Sequence, residues 1–151
     1  MIEDKNNSDK FIRRLRELKD KAVDIGIMGD ANRDYSDRDI VLIAAVHEFG
    51  SPKRRIPERS FLRSNFDDNY DRYADMLMNR IEDVLDGAIS VNDALSLVGQ
   101  TVAQDTQMTI RRVIPPPLKE ATIKRKGKGK TTPLIDTGRL IGSITYEVKD
   151  V

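Results

Sequence analysis

The chain has 151 residues, of which 38% are hydrophobic and 34% charged, and 26 Lys/Arg against 25 Asp/Glu leave a net charge of +1. This length suits one compact domain spanning residues 1–151, and the near-neutral charge argues against a protein that coats nucleic acid. The absence of cysteine excludes disulfides, thiolate zinc sites and cysteine nucleophiles. The chain starts with charged residues, and no stretch approaches the roughly 20 apolar residues of a membrane span, so we expect neither a signal peptide nor membrane contact.

The first fifty residues predict two helices and a strand. Ser8 can cap a helix over residues 8–21, whose apolar face is formed by Phe11, Ile12, Leu15 and Leu18. Apolar residues at every second position of 23–27 then predict a strand. After a polar stretch, residues 40–48 form the second predicted helix, which ends at Phe49 and Gly50. Two prolines exclude regular structure from residues 50–58.

Two long amphipathic helices are predicted in the middle of the chain. The first covers residues 60–85, ends before Gly87, and carries apolar side chains at steps of three and four: Leu62, Phe66, Tyr70, Tyr73, Leu77, Ile81 and Val84. Ser90 and Asp93 resemble a capping box, with Asp in place of Glu. They begin a second helix to about residue 113, which ends before three consecutive prolines and has an apolar face of Val91, Leu95, Val98 and Val102.

The last third of the chain combines a loop, a short helix and a strand. Residues 113–132 are predicted to form a flexible basic loop, in which only 119–125 can form helical turns. Asp136 or Thr137 can cap a turn of helix over 139–141. Alternating apolar residues over 144–148 predict a strand, and we expect it to pair with the strand near the other end of the chain. The predicted fold class is α+β, with two long helices and shorter helices packed on a small antiparallel or mixed sheet.

Charged residues are segregated along the chain. Residues 64–93 contain eight Asp/Glu and two Arg, whereas residues 111–130 contain eight Lys/Arg and one Glu. Segments of opposite sign can pair within the fold or between copies of the chain. The alternative is that both are solvated faces, since exposed charges are usually unpaired.

One tripeptide, Asp136-Thr137-Gly138, matches the pattern in which an aspartic protease places its catalytic Asp. Only 13 residues follow Gly138, which are too few for the flap and remaining β-structure of a protease subunit. We therefore expect Asp136 or Thr137 to cap a helix and Gly138 to relieve backbone strain.

Other potential catalytic groups are isolated. His47 is the only histidine, and no Ser, Cys or second His lies at a diagnostic spacing. The acidic pairs at 67–68 and 82–83 point about 100° apart around a helix, so neither is a preformed dyad. We expect no enzymatic activity, catalytic residue, cofactor or metal.

Residues 124–130, Lys-Arg-Lys-Gly-Lys-Gly-Lys, form a cationic arm. The arm lacks the Gly-Lys-Ser/Thr ending and the preceding strand of a phosphate-binding loop, and it lacks aromatics on which bases could stack. We favour an arm that docks onto a protein partner. The alternatives are a lining that contacts DNA non-specifically and a simple linker.

Several segments together resemble a known family. Ile43-Ala-Ala-Val-His-Glu-Phe-Gly50 is followed by Ile56-Pro-Glu-Arg-Ser-Phe-Leu62. The second half adds a basic segment over 117–126, then Pro133-Leu-Ile-Asp-Thr-Gly-Arg-Leu140 and Ser143-Ile-Thr-Tyr146. The order and spacing of these segments resemble the tail-completion and head–tail joining (neck) proteins of tailed bacteriophages, which include the minor tail protein Z type and other virion-morphogenesis proteins.

This resemblance implies a virion protein that forms an oligomeric ring, a hexamer, around the DNA passage. Tail-completion, tail-terminator and connector roles are all compatible with it. The expected partners are further copies of the chain, connector proteins, and tail tube or terminator proteins, with non-specific contact to DNA in the channel. The expected location is the virion neck or the head-proximal end of the tail, and the host cytoplasm during viral assembly. A basic-armed nucleic-acid-binding module is the alternative function.

In a ring subunit, the loops of these motifs are candidate assembly interfaces. Arg55 and Arg59 can form bidentate pairs with acidic groups of a neighbouring subunit, and Phe49 and Phe61 can act as apolar anchors, although both, like Leu140, can equally be core residues. The full set of candidates is Phe49, Gly50, Arg54, Arg55, Ile56, Pro57, Arg59, Phe61, Lys124, Arg125, Lys126, Lys128, Lys130, Leu134, Asp136, Thr137 and Gly138.

Overall fold

The computed structural model describes residues 2–28, 38–127, 129, 131–135 and 138–151. Within them the fold is α+β, as predicted. The elements, in chain order, are α1 (Ile2–Lys19), β1 (Lys21–Ile27), α2 (Arg38–Phe49), a 3₁₀ turn (Pro52–Arg54), α3 (Leu62–Asp68), α4 (Tyr70–Asp86), α5 (Val91–Arg111), α6 (Glu120–Lys126), α7 (Arg139–Gly142) and β2 (Ile144–Asp150).

The two strands pair antiparallel, which confirms the predicted contact between the two ends of the chain. Ile25 lies opposite Tyr146, and Ile27 lies opposite Ile144. At the far end of the pair, Lys21 Nζ donates to the Asp150 carboxylate at 2.8 Å. An isolated two-stranded ribbon is marginally stable in water, so the sheet depends on the helix that covers it.

Helix α5 is the central packing element, because it contacts both strands as well as α3 and α4. Its buried face includes all four predicted apolar residues and is composed of Val91, Ala94, Leu95, Val98, Gly99, Val102, Ala103, Thr106 and Ile110. At Gly99 a Cβ atom would lie 2.7 Å from the side chains of Val23 and Tyr146. Glycine at this position therefore lets the helix approach the sheet closely. The helix begins as predicted, with the Ser90 hydroxyl accepting from the Asp93 amide at 3.1 Å.

Two details of the predicted elements differ in the structure, namely the continuity of one long helix and the N-cap of α7. The predicted helix over 60–85 is divided at Asn69, whose side-chain amide donates to the Asn65 carbonyl at 2.8 Å. Asn side chains compete for backbone groups in this way, which weakens a continuous helix. Helix α7 has Gly138, with φ +81°, at its N-cap position, one residue after the two predicted capping residues. Those residues, Asp136 and Thr137, lie outside the described part of the chain.

The predicted apolar face of α1 is only partly covered. Leu18 packs against the core cluster around Val84 and Val91. Phe11, Ile12 and Leu15 remain 43–44% exposed. The helix begins at Ile2 instead of residue 8. Its stability in the monomer therefore comes mainly from its C-terminal half.

A buried polar network joins α3, α4 and α5. Asn65 is 2% exposed and donates to the Tyr73 hydroxyl and to the Thr106 hydroxyl, both at 3.0 Å. The side-chain oxygen of Asn65, Oδ1, accepts from the Thr109 hydroxyl at 3.2 Å. The Tyr73 hydroxyl in turn donates to the Asp105 carboxylate at 3.0 Å. Because every member is hydrogen-bonded, the network specifies how the three helices pack.

Asn65→Ala should destabilise the protein by about 2–3 kcal/mol, because it leaves buried hydroxyl groups without partners. Unfolding in urea, followed by circular dichroism, measures this loss. Asn79→Ala, on the exposed face of α4, is the matched control and should change the free energy of unfolding by no more than about 0.5 kcal/mol. Equal effects of the two substitutions would contradict a structural role for the network.

Candidate functional site

The Glu48 carboxylate, at the end of α2, caps the start of α3. It is 6% exposed and accepts from the backbone amides of Phe61, Leu62 and Arg63 at 2.9–3.0 Å. The Ser60 hydroxyl donates to it at 2.6 Å. The first amides of a helix have no partner within the helix, and the helix dipole favours a negative charge at this end. Glu48 therefore satisfies α3 from a different element, 14 residues before Leu62.

The pKa of Glu48 reflects two opposing influences. Burial of the carboxyl group raises its pKa, but the hydrogen bonds from Ser60, Leu62, Arg63 and Phe61 outweigh burial and hold the pKa below its ordinary value of 4.5. The carboxylate is therefore ionised at neutral pH. The ionised group acts as a cap because it accepts hydrogen bonds from the first amides of α3.

The segment between Glu48 and α3 forms a tight loop. Gly50 has φ +74°, and a Cβ atom there would lie 2.9 Å from the Glu58 amide nitrogen, so the position favours glycine on both grounds. Ser51 and Ile56 exchange backbone hydrogen bonds at 2.8 and 3.0 Å. Arg55 closes the turn in the left-handed region, with φ 54°. The loop is thus defined by its own backbone bonds, and it exposes a basic tip that consists of Lys53, Arg54 and Arg55, followed by the exposed Pro57.

Two of the predicted interface residues lie inside this chain's own fold. Arg59 is 5% exposed, and its guanidinium donates to the Pro116 carbonyl at 2.6 and 2.8 Å and to the Pro117 carbonyl at 3.3 Å. Burial lowers the pKa of Arg59. Phe61 is 3% exposed and belongs to the core cluster with Ile40 and Leu140. Arg59 therefore fastens the proline segment to the α2–α3 loop within one chain.

Phe49 has the opposite environment. It is 66% exposed, and the Arg63 guanidinium lies 5.9 Å from the centre of its ring. It borders an apolar groove of about 400 Å³ between β1, α2 and α3, lined also by Ile25, Leu62, Phe66 and Val102. The groove and its exposed phenyl ring form an apolar surface beside the capped start of α3.

A larger cavity, of about 800 Å³, lies between α2, α6 and α7. We call it the α2–α6 cavity. Its lining is aliphatic and basic: Ile40, Ile43, His47, Leu118, Thr122, Arg125, Lys126, Leu134, Gly138, Arg139 and Leu140. Lys126 Nζ donates to the carbonyls of Thr132 and Ile135 at 3.0 and 2.6 Å, which ties the following loop to α6. Leu134, in that loop, has φ 64°, a left-handed conformation that is uncommon for leucine.

His47 stands between the loop and the α2–α6 cavity. Its Nδ1 atom is buried and has no hydrogen-bond partner among the described residues. Burial, followed by the nearby charges of Arg59 and Lys126, lowers the pKa of His47 below 6.5. The imidazole is therefore neutral at pH 7, and its protonation would add a third positive charge to a desolvated cluster.

The predicted interface residues thus fall into separate groups. Phe49, Gly50, Arg54, Arg55, Ile56 and Pro57 belong to the loop and its exposed surface, whereas Arg125, Lys126, Leu134 and Gly138 line the α2–α6 cavity. Lys124 is exposed in the last turn of α6. Four candidates, Lys128, Lys130, Asp136 and Thr137, lie outside the described residues.

Two features of the site were not predicted, namely the capping role of Glu48 and the cavity. A helix that begins at Leu62 without a side-chain cap of its own signals a missing partner for its amides, but that signal does not identify Glu48. Among the described residues, no group of three or more His, Asp or Glu side chains could hold a metal ion. No helix in the described ranges has the length and apolar character needed to cross a membrane.

Glu48→Gln should destabilise the protein by about 3 kcal/mol, since it removes charge-assisted hydrogen bonds to buried amides. Because the pKa of Glu48 is lowered in the fold, its contribution is present above pH 4.5 and is lost as the pH falls through the folded-state value. Urea unfolding at pH 7 and at lower pH measures both effects. Glu58→Gln, at a solvent-exposed ion pair, should cost less than about 1 kcal/mol. Equal losses in the two variants would rule out the capping role.

His47→Gln should remove a pH dependence of stability. A histidine whose pKa is lowered by folding binds fewer protons in the native state than in the unfolded state. Its neutral form is fully compatible with the fold above pH 6.5, and the wild-type protein loses stability as the pH falls from 6.5 towards the lowered value. Urea unfolding at pH values from 6.5 downwards should show that the free energy of unfolding depends more steeply on pH in wild type than in His47→Gln. Equal pH dependence of the two proteins would show that His47 is not the group whose pKa is lowered by folding.

Comparison of the chain with protein-family models, with curated proteins and with solved structures gave no match. The resemblance to phage neck and tail-completion proteins therefore depends on the residues of this chain alone. Its Glu48-Phe-Gly50 and Ile56-Pro-Glu-Arg-Ser-Phe-Leu62 segments meet around one buried carboxylate.

Proposed function

We propose that this chain is a structural virion protein of a tailed bacteriophage, a ring-forming neck or tail-completion component that joins the tail to the head around the DNA passage. In this role the protein needs no reacting centre. The observation that carries the proposal is the amount of apolar surface that one copy leaves uncovered around α2. Val41, Leu42 and Ile43 are 44%, 52% and 44% exposed, and Phe49 is 66% exposed.

Leu42 and Phe49 are seven residues apart and therefore project from the same side of α2, and an exposed apolar side of a helix is characteristic of a surface that contacts another protein. The helix that carries them is fixed at its C-terminal end by the Glu48 cap and by the Arg59 amide, which donates to the His47 carbonyl at 2.8 Å. The surface is therefore preorganised, and less conformational entropy is lost when it docks. A ring subunit, which must contact two neighbours in a fixed geometry, benefits from such rigidity.

The distribution of charge supports the same role. The acidic residues of 64–93 lie largely on α3 and α4, and the described basic residues of 111–130 lie at the end of α5 and at the start and end of α6. Among the described residues, Arg80 pairs with Asp83 inside the acidic segment, and Arg72 of the same segment pairs with Asp105. Contacts between copies in a ring are heterologous, so oppositely charged surfaces on one subunit can meet on neighbouring subunits.

Purified protein, or protein supplied with its virion partners, should form closed rings. Light scattering after size-exclusion chromatography gives the number of subunits, and negative-stain electron microscopy shows a central opening. Because charge pairing contributes, the rings should weaken at about 1 M salt, where screening acts over about 3 Å. A size unchanged at high salt would contradict the electrostatic contribution.

Location in the particle is tested separately. Antibodies raised against the protein should label purified virions at the junction of head and tail, and a particle assembled without the protein should have unjoined heads and tails. A protein that is absent from mature particles, with normal particles formed in its absence, would refute the proposed function. Unrelated tail-fibre antibodies provide the labelling control.

A nucleic-acid-binding module is the second candidate, because Lys124 and Arg125 are exposed at the end of α6. Such binding would depend on phosphate contacts and would fall steeply with salt concentration. A mobility-shift assay on unrelated DNA duplexes at physiological salt separates the two functions. Tight binding by the isolated chain favours the module, and weak or absent binding favours the ring protein.

A further inference from the structure

Helix α1 has an open side that is both apolar and basic. Ile12 and Leu15 are 44% and 43% exposed, and Arg16 and Lys19 are exposed beside them. The four positions follow the spacing i, i+3, i+4 and i+7, so they project from one side of the helix. We call this side the α1 face. Among the described residues, neither of its cations has an ion-pair partner.

The contacts that hold α1 on the fold leave the α1 face uncovered. Leu18 packs against the core cluster around Val84 and Val91. On the same side of the helix, the Arg14 guanidinium donates to the Leu85 carbonyl at 2.8 Å. Most of the stability of a helix in a protein comes from packing of its apolar side. An apolar side that stays half exposed therefore indicates a surface for a further partner.

The outer side of α4 has the composition that complements the α1 face. We call it the α4 face, and it consists of Asp71, Asp75, Met78, Glu82 and Asp86. All five residues are exposed, and Met78 is 57% exposed. Steps of three and four residues place them on one side of a single uninterrupted helix. The α4 face is thus a row of carboxylates with one apolar side chain near its middle.

The carboxylates of the α4 face have no ion-pair partner in the described part of the chain. The ion pairs that α4 forms there are made by other residues, Arg72 with Asp105 and Arg80 with Asp83. A second α1 face would bring cations against cations, whereas the α4 face brings carboxylates to them. Charge complementarity therefore selects the α4 face as the occupant.

The two faces of one copy point in different directions and do not meet. The α4 face lies on the side of its helix opposite the buried residues Tyr73 and Val84. Leu18 packs beside Val84, so α1 lies against the core side of α4 in its own chain. A contact between an α1 face and an α4 face consequently joins two copies, and its repetition from copy to copy closes a ring.

We propose that the α1 face of one copy packs along the α4 face of the next copy. Ile12 and Leu15 then contact Met78, and the two cations lie beside the carboxylates that flank it. This inference rests on the proposed function and identifies a contact through which the ring forms. The guanidinium–carboxylate pair orients the contact, and the apolar side chains contribute buried surface.

Charge reversal on each helix tests the contact. The first variant combines Arg16→Glu with Lys19→Glu, and the second combines Asp75→Lys with Glu82→Lys. Each variant opposes like charges at the contact, so we expect the dissociation constant of the assembly to rise by at least about tenfold. Analytical ultracentrifugation measures association, and circular dichroism checks that each variant is folded.

Two further variants test the pairing of the faces. A chain that carries all four charge reversals should associate again, because its two reversed faces are complementary to each other. Ile12→Ala should weaken association without any change of charge, because it removes part of an apolar side chain from the contact.

Two control variants make the same changes of net charge at exposed positions outside both faces. Lys10→Glu with Arg13→Glu changes the other side of α1, and Glu120→Lys with Glu147→Lys changes α6 and β2. Both controls should associate like wild type. An equal loss of association in the controls and in the test variants would overturn the assignment, since net charge alone would then explain it.

The remaining outcomes separate this inference from the proposed function. If wild type forms rings and both charge-reversal variants assemble equally well, the ring stands but the contact is overturned. If only the α1 variant loses association, or if the chain with all four reversals fails to associate, α1 meets a different surface and the assignment to α4 is overturned. A folded wild-type chain that stays monomeric, alone and with its virion partners, overturns both proposals.

Discussion

The arrangement around the candidate site depends on the hydrogen bonds that the buried Glu48 carboxylate accepts. It binds three successive backbone amides at the start of α3 and the Ser60 hydroxyl, while its own backbone belongs to α2. The loop between the two helices consequently begins and ends at fixed points. Gly50 allows the close backbone approach, and the Arg59 guanidinium connects the end of the loop to the carbonyls of Pro116 and Pro117. One buried charge thus organises segments that are distant in sequence.

The rest of the fold is organised by α5. This helix covers the two-stranded sheet on one side and contacts α3 and α4 on another, so it connects the chain's ends to its middle. Gly99 permits the close contact with the sheet, and the Asn65 network fixes the contact with α3 and α4. Asn65 thus connects α5 to the helix whose start is capped by Glu48.

Sequence patterns correctly predicted the elements that have a strongly periodic arrangement of apolar residues. The face of α5 that begins at Val91 and the alternation in both strands are of this kind. The patterns failed where a contact from elsewhere in the chain decides the outcome. The periodicity of residues 60–85 continues through Asn69, but its side chain ends one helix and separates it from the next. Periodicity also assigned Phe11, Ile12 and Leu15 to a buried face, although no element of the described chain covers them fully. The Glu48 cap and the burial of Arg59 depend on tertiary contacts that no spacing in the sequence indicates.

Two neighbouring residues at the C-terminal end of α2, His47 and Glu48, have different electrostatic surroundings. Glu48 is buried, but it is matched by amides and a hydroxyl, so its negative charge is satisfied where it lies. Near His47, the Arg59 guanidinium donates to the Pro116 carbonyl and Lys126 Nζ donates to the Ile135 carbonyl. Burial first, and then the nearby charges of Arg59 and Lys126, lower the pKa of His47, which lines the α2–α6 cavity.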